Sequence, residues 1–225
     1  MISPYVDKLD SWSSHGVIFR WLQNYPPFTR VLDVGTALGT IGKVCEENNF
    51  HIVGIEPNKV YAIKAEPYYT SLINCSLDEA PIEILSTFQV IILADVLEHM
   101  LDPQKSLSRL VSLNDKDTVF MISVPNIANI WVRVSLMVRR FEYQDRGILD
   151  KTHLLFFTKL TSVRMISNIG LRIGQLVATP IPLNLIHPTF DQTKIGRLVH
   201  FLLAKLPQVF PTLLGYQFVV LESRG

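Results

Sequence analysis

Two short stretches of this chain gather side chains able to hold and move protons. In ILADVLEHMLDP, residues 92–103, an apolar run ends at Asp95, and Glu98 and His99 follow. In GILDKTHLLFFT, residues 147–158, Asp150 and His153 stand in a polar patch ahead of LLFFT. An imidazole of ordinary pKa, about 6.5, suits a general base that takes a proton from a hydroxyl. Asp150 is placed to orient His153, and a bond from His153 to a backbone carbonyl under a covering loop fits the same residues equally well. Glu98 and His99 fall just past the carboxyl end of a buried strand, where open α/β sheets hold their ligands; capping the next helix is the alternative for that pair.

A third stretch carries binding rather than proton transfer. VLDVGTALGTIG (31–42) followed by HIVGIEPN (51–58) reads as strand, glycine turn, helix, strand and acid, the order of a nucleotide-binding βαβ unit. Gly35, Gly39 and Gly42 keep bulk out of a turn that contains Thr36. The helix from about Thr40 to Asn49 sets its N–H groups beside that turn, where they favour electron-rich ligand atoms. Glu56 ends the second strand about 20 residues after Gly35, the spacing expected of an acid that accepts bonds from ribose hydroxyls, and Pro57 follows it. Ala37 stands where a dinucleotide fingerprint has its second glycine, which disfavours a pyrophosphate cofactor.

These residues need a sheet to hold them. Residues 88–95 and Thr118–Val124 read as further buried strands, with a short one near Ser71–Cys75 between helical segments, and Pro103–Leu113 as a helix. Five strands alternating with helices predict a parallel sheet covered on both faces. An opening helix at 12–25 ends at Pro26 and Pro27 and would cover the mouth of the site. After a polar and aromatic insertion at about 127–158, Lys159–Asn168 reads as a helix, Leu171–Ala178 as a sixth strand and Tyr216–Glu222 as a seventh. A second insertion, about 180–214, holds a helical stretch from Lys194 to Leu206. Its residues Ile195, Leu198, Val199, Leu202 and Leu206 recur at helical spacing for packing on the domain or in a homodimer. Lys194, Arg197 and Lys205 leave contact with a membrane surface as the weaker alternative.

Composition narrows the classes. The 225 residues are 48% hydrophobic and 18% charged, with a formal net charge of +1. That describes one globular domain with no general attraction to nucleic acid. Cys45 and Cys75 have neither zinc-site nor disulfide-framework spacing, so no metal is expected, and a reducing cytoplasm fits them best. The first residues, with Asp7 and Asp10, lack the apolar core of a secretion signal. No apolar run reaches the length of about 20 residues needed to span a bilayer.

With these residues in view, the chain resembles the class I S-adenosyl-L-methionine (SAM) dependent methyltransferases. Asp33, Gly35 and Gly39 match their glycine motif, with Ala37 departing from it. DVLEH, the SVPN of 123–126 and RFEYQDRGILDKTHLLFFT (140–158) match a branch often encoded among surface-polysaccharide genes. The likeness runs over roughly residues 10–178 and implies a Rossmann-like α/β three-layer sandwich, a mostly parallel seven-stranded sheet with an antiparallel last strand. It implies SAM as cofactor, S-adenosyl-L-homocysteine as product, and a small hydroxyl-bearing acceptor such as a sugar or nucleotide sugar. Asp33, Gly35, Thr36, Gly39, Glu56, Pro57, Ala94 and Asp95 would then line the cofactor, while His153, Asp150 and His99 act on the acceptor. Where relatives carry Gly-Asp-hydrophobic-acid near the adenine, this chain has Cys75, Ser76, Leu77 and Asp78, leaving Ser76 and Leu77 to take those roles. Arg139, Arg140 and Arg146 are candidates for an acidic group on the acceptor. Two rivals stay open: a non-catalytic protein of the same fold that binds SAM or has lost it, and an NAD-dependent oxidoreductase.

Overall fold

The computed structural model describes residues 10–182 and 193–224. Its centre is a seven-stranded sheet in the order β3-β2-β1-β4-β5-β7-β6. The strands are β1 (Arg30–Val34), β2 (His51–Ile55), β3 (Ser71–Ile73), β4 (Val90–Ala94), β5 (Val119–Pro125), β6 (Leu171–Ala178) and β7 (Gln217–Arg224). β1 to β5 pair in parallel, and β7 is antiparallel to both β5 and β6. This is the Rossmann-like sandwich expected, and the reversed last strand is where the sequence put it.

The parallel strands need both faces covered, and their residues are apolar on both sides. Leu32 and Val34 point into one layer with Ile91, Leu93, Phe120 and Ile122. Val31 points into the other with Ile52, Val90, Ile92 and Met121. Each such side chain, when fully buried, stabilises the fold by about 1.5–3 kcal/mol. The covering helices begin at caps written in the sequence: Asn58 accepts from Val60 and Tyr61 at the start of α3 (Lys59–Ala65), and Asp102 from Lys105 at α5 (Pro103–Leu113). Thr158 and Thr161 form a reciprocal capping box at α7 (Lys159–Asn168). The remaining helices before the second insertion are α1 (Ser14–Leu22), α2 (Thr40–Glu47), the short α4 (Ile82–Leu85) and α6 (Ile130–Met137); α6 lies inside the first insertion, which had been read only as a cover.

In the second insertion, α8 (Lys194–Val209) runs past the expected end at Leu206 because it accommodates Pro207 internally, at the cost of one backbone bond; α9 (Pro211–Leu214) follows. The side chains of Ile195, Leu198 and Val199 lie outside the described residues. Leu202 and Leu206, expected on the packed face, are exposed at 56% and 41%. Packing instead uses Ala204 and Pro207, with Gln208 donating to the Ala178 carbonyl. Small residues let the helix backbone come close to β6, which turns Leu202, Leu203 and Leu206 outward. No helix among the described residues is long and apolar enough to cross a membrane.

Candidate active site

The carboxyl ends of β1, β2 and β4 converge on one edge of the sheet, and the turn after β1 lies there under tension. Gly35, Ala37 and Gly39 all have positive φ, at 76°, 46° and 85°. Glycine takes such angles without penalty and alanine does not. Ala37 is held by Glu56, whose Oε2 accepts its N–H at 2.8 Å, while Oε1 accepts the Asn58 N–H at 2.8 Å. Glu56 is therefore the clamp that closes the β1 turn onto the end of β2. Burial raises its pKa above the ordinary carboxylate value, opposed by the bonds from Asn58 and Ala37.

Asp33 lies one layer below, 1% exposed. It accepts the Tyr69 phenol at 2.5 Å, and the same phenol oxygen accepts the Gly42 N–H of α2 at 3.2 Å. Burial lifts Asp33 to about 7, with the Tyr69 bond pulling down and Glu56 pushing up. Asp33 is thus a support of the turn acting through Tyr69, a residue that carries no sequence signal for this role. Two buried polar atoms here, Asp33 Oδ1 and Thr36 Oγ1, have no partner among the described residues, which suits a turn that is completed by a polar ligand.

The turn also abuts the segment after β4. A Cβ on Gly35 would stand 2.7 Å from Val96 Cγ2, so the missing side chain makes room for Val96. Ala94 ends β4 half-buried, and Asp95 follows with φ of 59°. Its carboxylate takes a 2.6 Å bond from Ser123 of β5 and a 3.4 Å bond from Ser14 of α1. The opening helix therefore does reach the mouth of the site. A 3-10 turn, Leu97–His99, comes next, and the Glu98 carbonyl accepts the N–H groups of Leu154 and Leu155 at 2.8 and 3.1 Å. Those bonds tie the first insertion to the post-β4 turn.

The two proton-handling stretches thereby meet. The rings of His99 and His153 are in edge contact with centroids 4.8 Å apart, and His153 Nε2 lies 3.9 Å from Glu98 Oε1. His153 Nδ1 is 3.1 Å from the Ile148 carbonyl. A carbonyl only accepts, so Nδ1 carries the proton and Nε2 keeps its lone pair for the site. Burial first, then His99, lowers the His153 pKa, with Asp150, the Ile148 bond and Asp95 opposing. His153 is neutral at physiological pH. The orienting group is thus Ile148 and not Asp150. The Asp150 carboxylate instead accepts the Thr152 N–H and O–H at 2.8 and 2.7 Å, and Thr152 faces His99 Nδ1 at 3.2 Å. Asp150 therefore acts through Thr152 on the other histidine, because the loop turns back on itself between them.

Other candidates lie at or near the periphery. Ser76 donates through N–H and O–H to Glu79. Leu77 is 4% exposed and packed in the core, and Asp78 accepts from Ser106 of α5. Pro57 is exposed beyond Glu56, and Arg139, Arg140 and Arg146 are exposed on the insertion. Asn126 and Asn129, fully buried, both donate to the Gly215 carbonyl and so fasten the α9 end to the end of β5. The SVPN match contained Asn126 but gave no hint of that partner.

A doubly wound sheet with a glycine turn, an acid ending β2 and a polar cluster after β4 defines a Rossmann-like protein whose ligand edge is furnished for group chemistry. The chain belongs to the methyltransferase domain family, which it matches over residues 14–176. No curated protein matches its sequence. Among solved structures it is similar to a SAM dependent methyltransferase from Archaeoglobus fulgidus, at 17% identity and TM-score 0.60 over 94% of this chain and 95% of that one. It is also similar to the magnesium protoporphyrin IX methyltransferase of Synechocystis with bound S-adenosyl-L-homocysteine, at 13% identity and TM-score 0.63 over 99% and 90%. The [4+2]-cyclase SpnF shares the fold at 12% identity and TM-score 0.60 over 92% and 80%. At these identities the likeness is one of fold.

Proposed function

We propose that this protein is a SAM-dependent methyltransferase acting on a small hydroxyl-bearing acceptor, of which a sugar or nucleotide sugar is the favoured kind. The observation that carries the proposal is the contact between the two halves of the site. The clamped β1 turn with Glu56 abuts Val96, and the post-β4 turn that follows holds Glu98 and His99 against His153. Cofactor-binding residues and proton-handling residues thus share one edge. SAM, when bound, would supply a methyl group on a sulfonium, the new oxygen–carbon bond forming in line as the carbon–sulfur bond breaks and S-adenosyl-L-homocysteine leaves.

The chain's own residues would do the rest. Glu56 has lone pairs beyond the two used by Ala37 and Asn58 and accepts the ribose hydroxyls. Thr36 and Asp33 offer polar atoms beneath the turn, Gly35 and Gly39 shape it, and Pro57 borders it. Ala94 and Asp95 flank the ligand at the end of β4, and Ser76 and Leu77 border the adenine side. The His153 Nε2 lone pair receives the acceptor's proton as the new oxygen–carbon bond forms, while His99, positioned by Thr152 and Asp150, packs against the His153 ring. Positioning two reactants together supplies most of the rate and the base about 10²- to 10⁴-fold.

The test is turnover of methyl-labelled SAM against a panel of sugars and nucleotide sugars. His153→Ala is expected to leave SAM affinity intact and to cut transfer by about 10²-fold or more; full activity in the variant would remove His153 from catalysis. A second reading, a non-catalytic SAM-binding or SAM-free protein, has one observation in its favour. Leu77 is packed in the core and Ser76 is engaged by Glu79, which narrows the adenine side. Binding without turnover across the panel would support it.

A further inference from the structure

We propose that Glu98, His99 and His153 form a binding site for one divalent first-row transition-metal ion. No zinc-type spacing announces it, because the ligands come from two distant loops that meet only through the Glu98 carbonyl bonds to Leu154 and Leu155. One ligand atom from each of the three residues lies within 4.8 Å of the others. Metal–nitrogen and metal–oxygen bonds of about 2.0–2.2 Å allow ligands on one ion to stand up to about 4.2 Å apart. His153 Nε2 and Glu98 Oε1, at 3.9 Å, already meet that limit. They are too far apart for a direct hydrogen bond. Tetrahedral ligands on one ion stand about 3.4 Å apart, so closing the set onto a common ion needs its widest pair to contract by about 1.4 Å.

The surroundings of the histidines are those of metal ligands. A ligating imidazole characteristically donates its other N–H to a carbonyl or carboxylate, which fixes tautomer and orientation. His153 Nδ1 meets the Ile148 carbonyl at 3.1 Å, and His99 Nδ1 meets the Thr152 carbonyl at 3.2 Å. The Thr152 hydroxyl gives its proton to Asp150, so its oxygen presents a lone pair to the same His99 Nδ1. Both rings are therefore anchored through Nδ1. Two imidazoles and a carboxylate 1% exposed form a mixed nitrogen and oxygen set that favours Zn²⁺, Fe²⁺ or Mn²⁺ over Ca²⁺.

Three protein ligands leave coordination positions open. Resting on the methyltransferase reading, we assign one of these to the acceptor hydroxyl. An ion held there would acidify the hydroxyl and let its proton pass to solvent, with His153 as ligand; the proton-accepting role of His153 then belongs to the metal-free protein.

The test uses the full chain without a histidine tag, dialysed against EDTA. Mn²⁺ binding is followed by electron paramagnetic resonance and Zn²⁺ binding by competition with a chromophoric chelator, both without SAM or acceptor. One ion per chain at micromolar concentration is expected. Glu98→Gln, His99→Asn and His153→Asn should each weaken binding by at least about 100-fold, and Asp150→Asn by about 10-fold through Thr152 and His99. Near-ultraviolet circular dichroism identifies folded variants, and Asp150→Asn, away from the ion, serves if a ligand variant does not fold. No saturable binding at millimolar metal, or unchanged affinity in the folded ligand variants, overturns the site. Methyl transfer is assayed separately: metal binding without transfer refutes the methyltransferase reading and leaves the metal site standing.

Discussion

Glu56 joins the fold to the proposed function closely enough that one substitution interrogates both. Glu56→Gln preserves shape but leaves one oxygen where there were two. The carboxylate holds the N–H groups of Ala37 and Asn58, each at 2.8 Å, and is 5% exposed. The amide nitrogen of glutamine would face one of these donors, and a buried donor left without a partner costs about 1–3 kcal/mol. Urea denaturation without ligand should show a loss of that size. Ribose hydroxyls bonded to a charged acceptor lose about half their strength when it is neutral, so SAM affinity should fall by about 1–3 kcal/mol, or about 5- to 150-fold. Calorimetry on the folded variant measures this directly. The pH dependences should run in opposite directions. Burial raises the Glu56 pKa in the folded state, so its contribution to stability is full at acid pH and is lost as pH rises through that value. SAM affinity needs the anion and falls as pH drops through the same range. A variant of reduced stability that binds SAM as tightly as the parent would show that Glu56 clamps the turn and does not touch the ligand.

Three further outcomes follow from the packing. Gly35→Ala, at φ of 76° and with its Cβ 2.7 Å from Val96 Cγ2, should destabilise by at least about 1–2 kcal/mol; adding Val96→Ala should recover the steric part of the melting temperature, and no recovery would refute the contact. Tyr69→Phe removes the bond that lowers the Asp33 pKa, so folding should lose about 1–3 kcal/mol near pH 8 and less below pH 6, where Asp33 holds its proton; a pH-independent loss would refute this. Glu222 on β7 has both carboxylate oxygens buried without partners among the described residues and a pKa raised by burial from 4.5 to about 8. Its contribution to stability, present at acid pH, is lost as pH rises toward 8, by about 3 kcal/mol at neutral pH, so urea midpoints of Glu222→Gln and the parent should diverge in the variant's favour between pH 5 and 8, and parallel curves would refute the assignment.

What was legible in the sequence follows the range of the forces involved. The bounds of α5, α7 and β6 fall where Asp102–Pro103, Thr158 and Gly170 put them, since caps and breakers act on their immediate neighbours. The alternation of strands and helices was enough for the sheet because buried parallel strands must be apolar on both faces. Contacts fixed across the fold were not legible. Nothing local to Tyr69 says that it carries Asp33, and helical spacing alone did not single out Ala204, which is buried on α8 while Leu202 and Leu206 are exposed.

The site shows the same division. Asp150 and His153 were paired by proximity in the chain, yet a carboxylate two residues from the Thr152 N–H is captured by that donor before it can reach the following ring. The Ile148 carbonyl, which has no side-chain signature, took its place on His153. Ala37 shows how a departure from a motif is absorbed. An added methyl group forces a residue other than glycine into the left-handed region, and the bond from Glu56 to its N–H holds it there. The acid expected to bind ribose thus also supports the residue that breaks the glycine pattern. A mutation at either position will therefore be felt at the other, and a double-mutant cycle between Glu56→Gln and Ala37→Gly should show coupling, because glycine takes that backbone angle without the carboxylate's help.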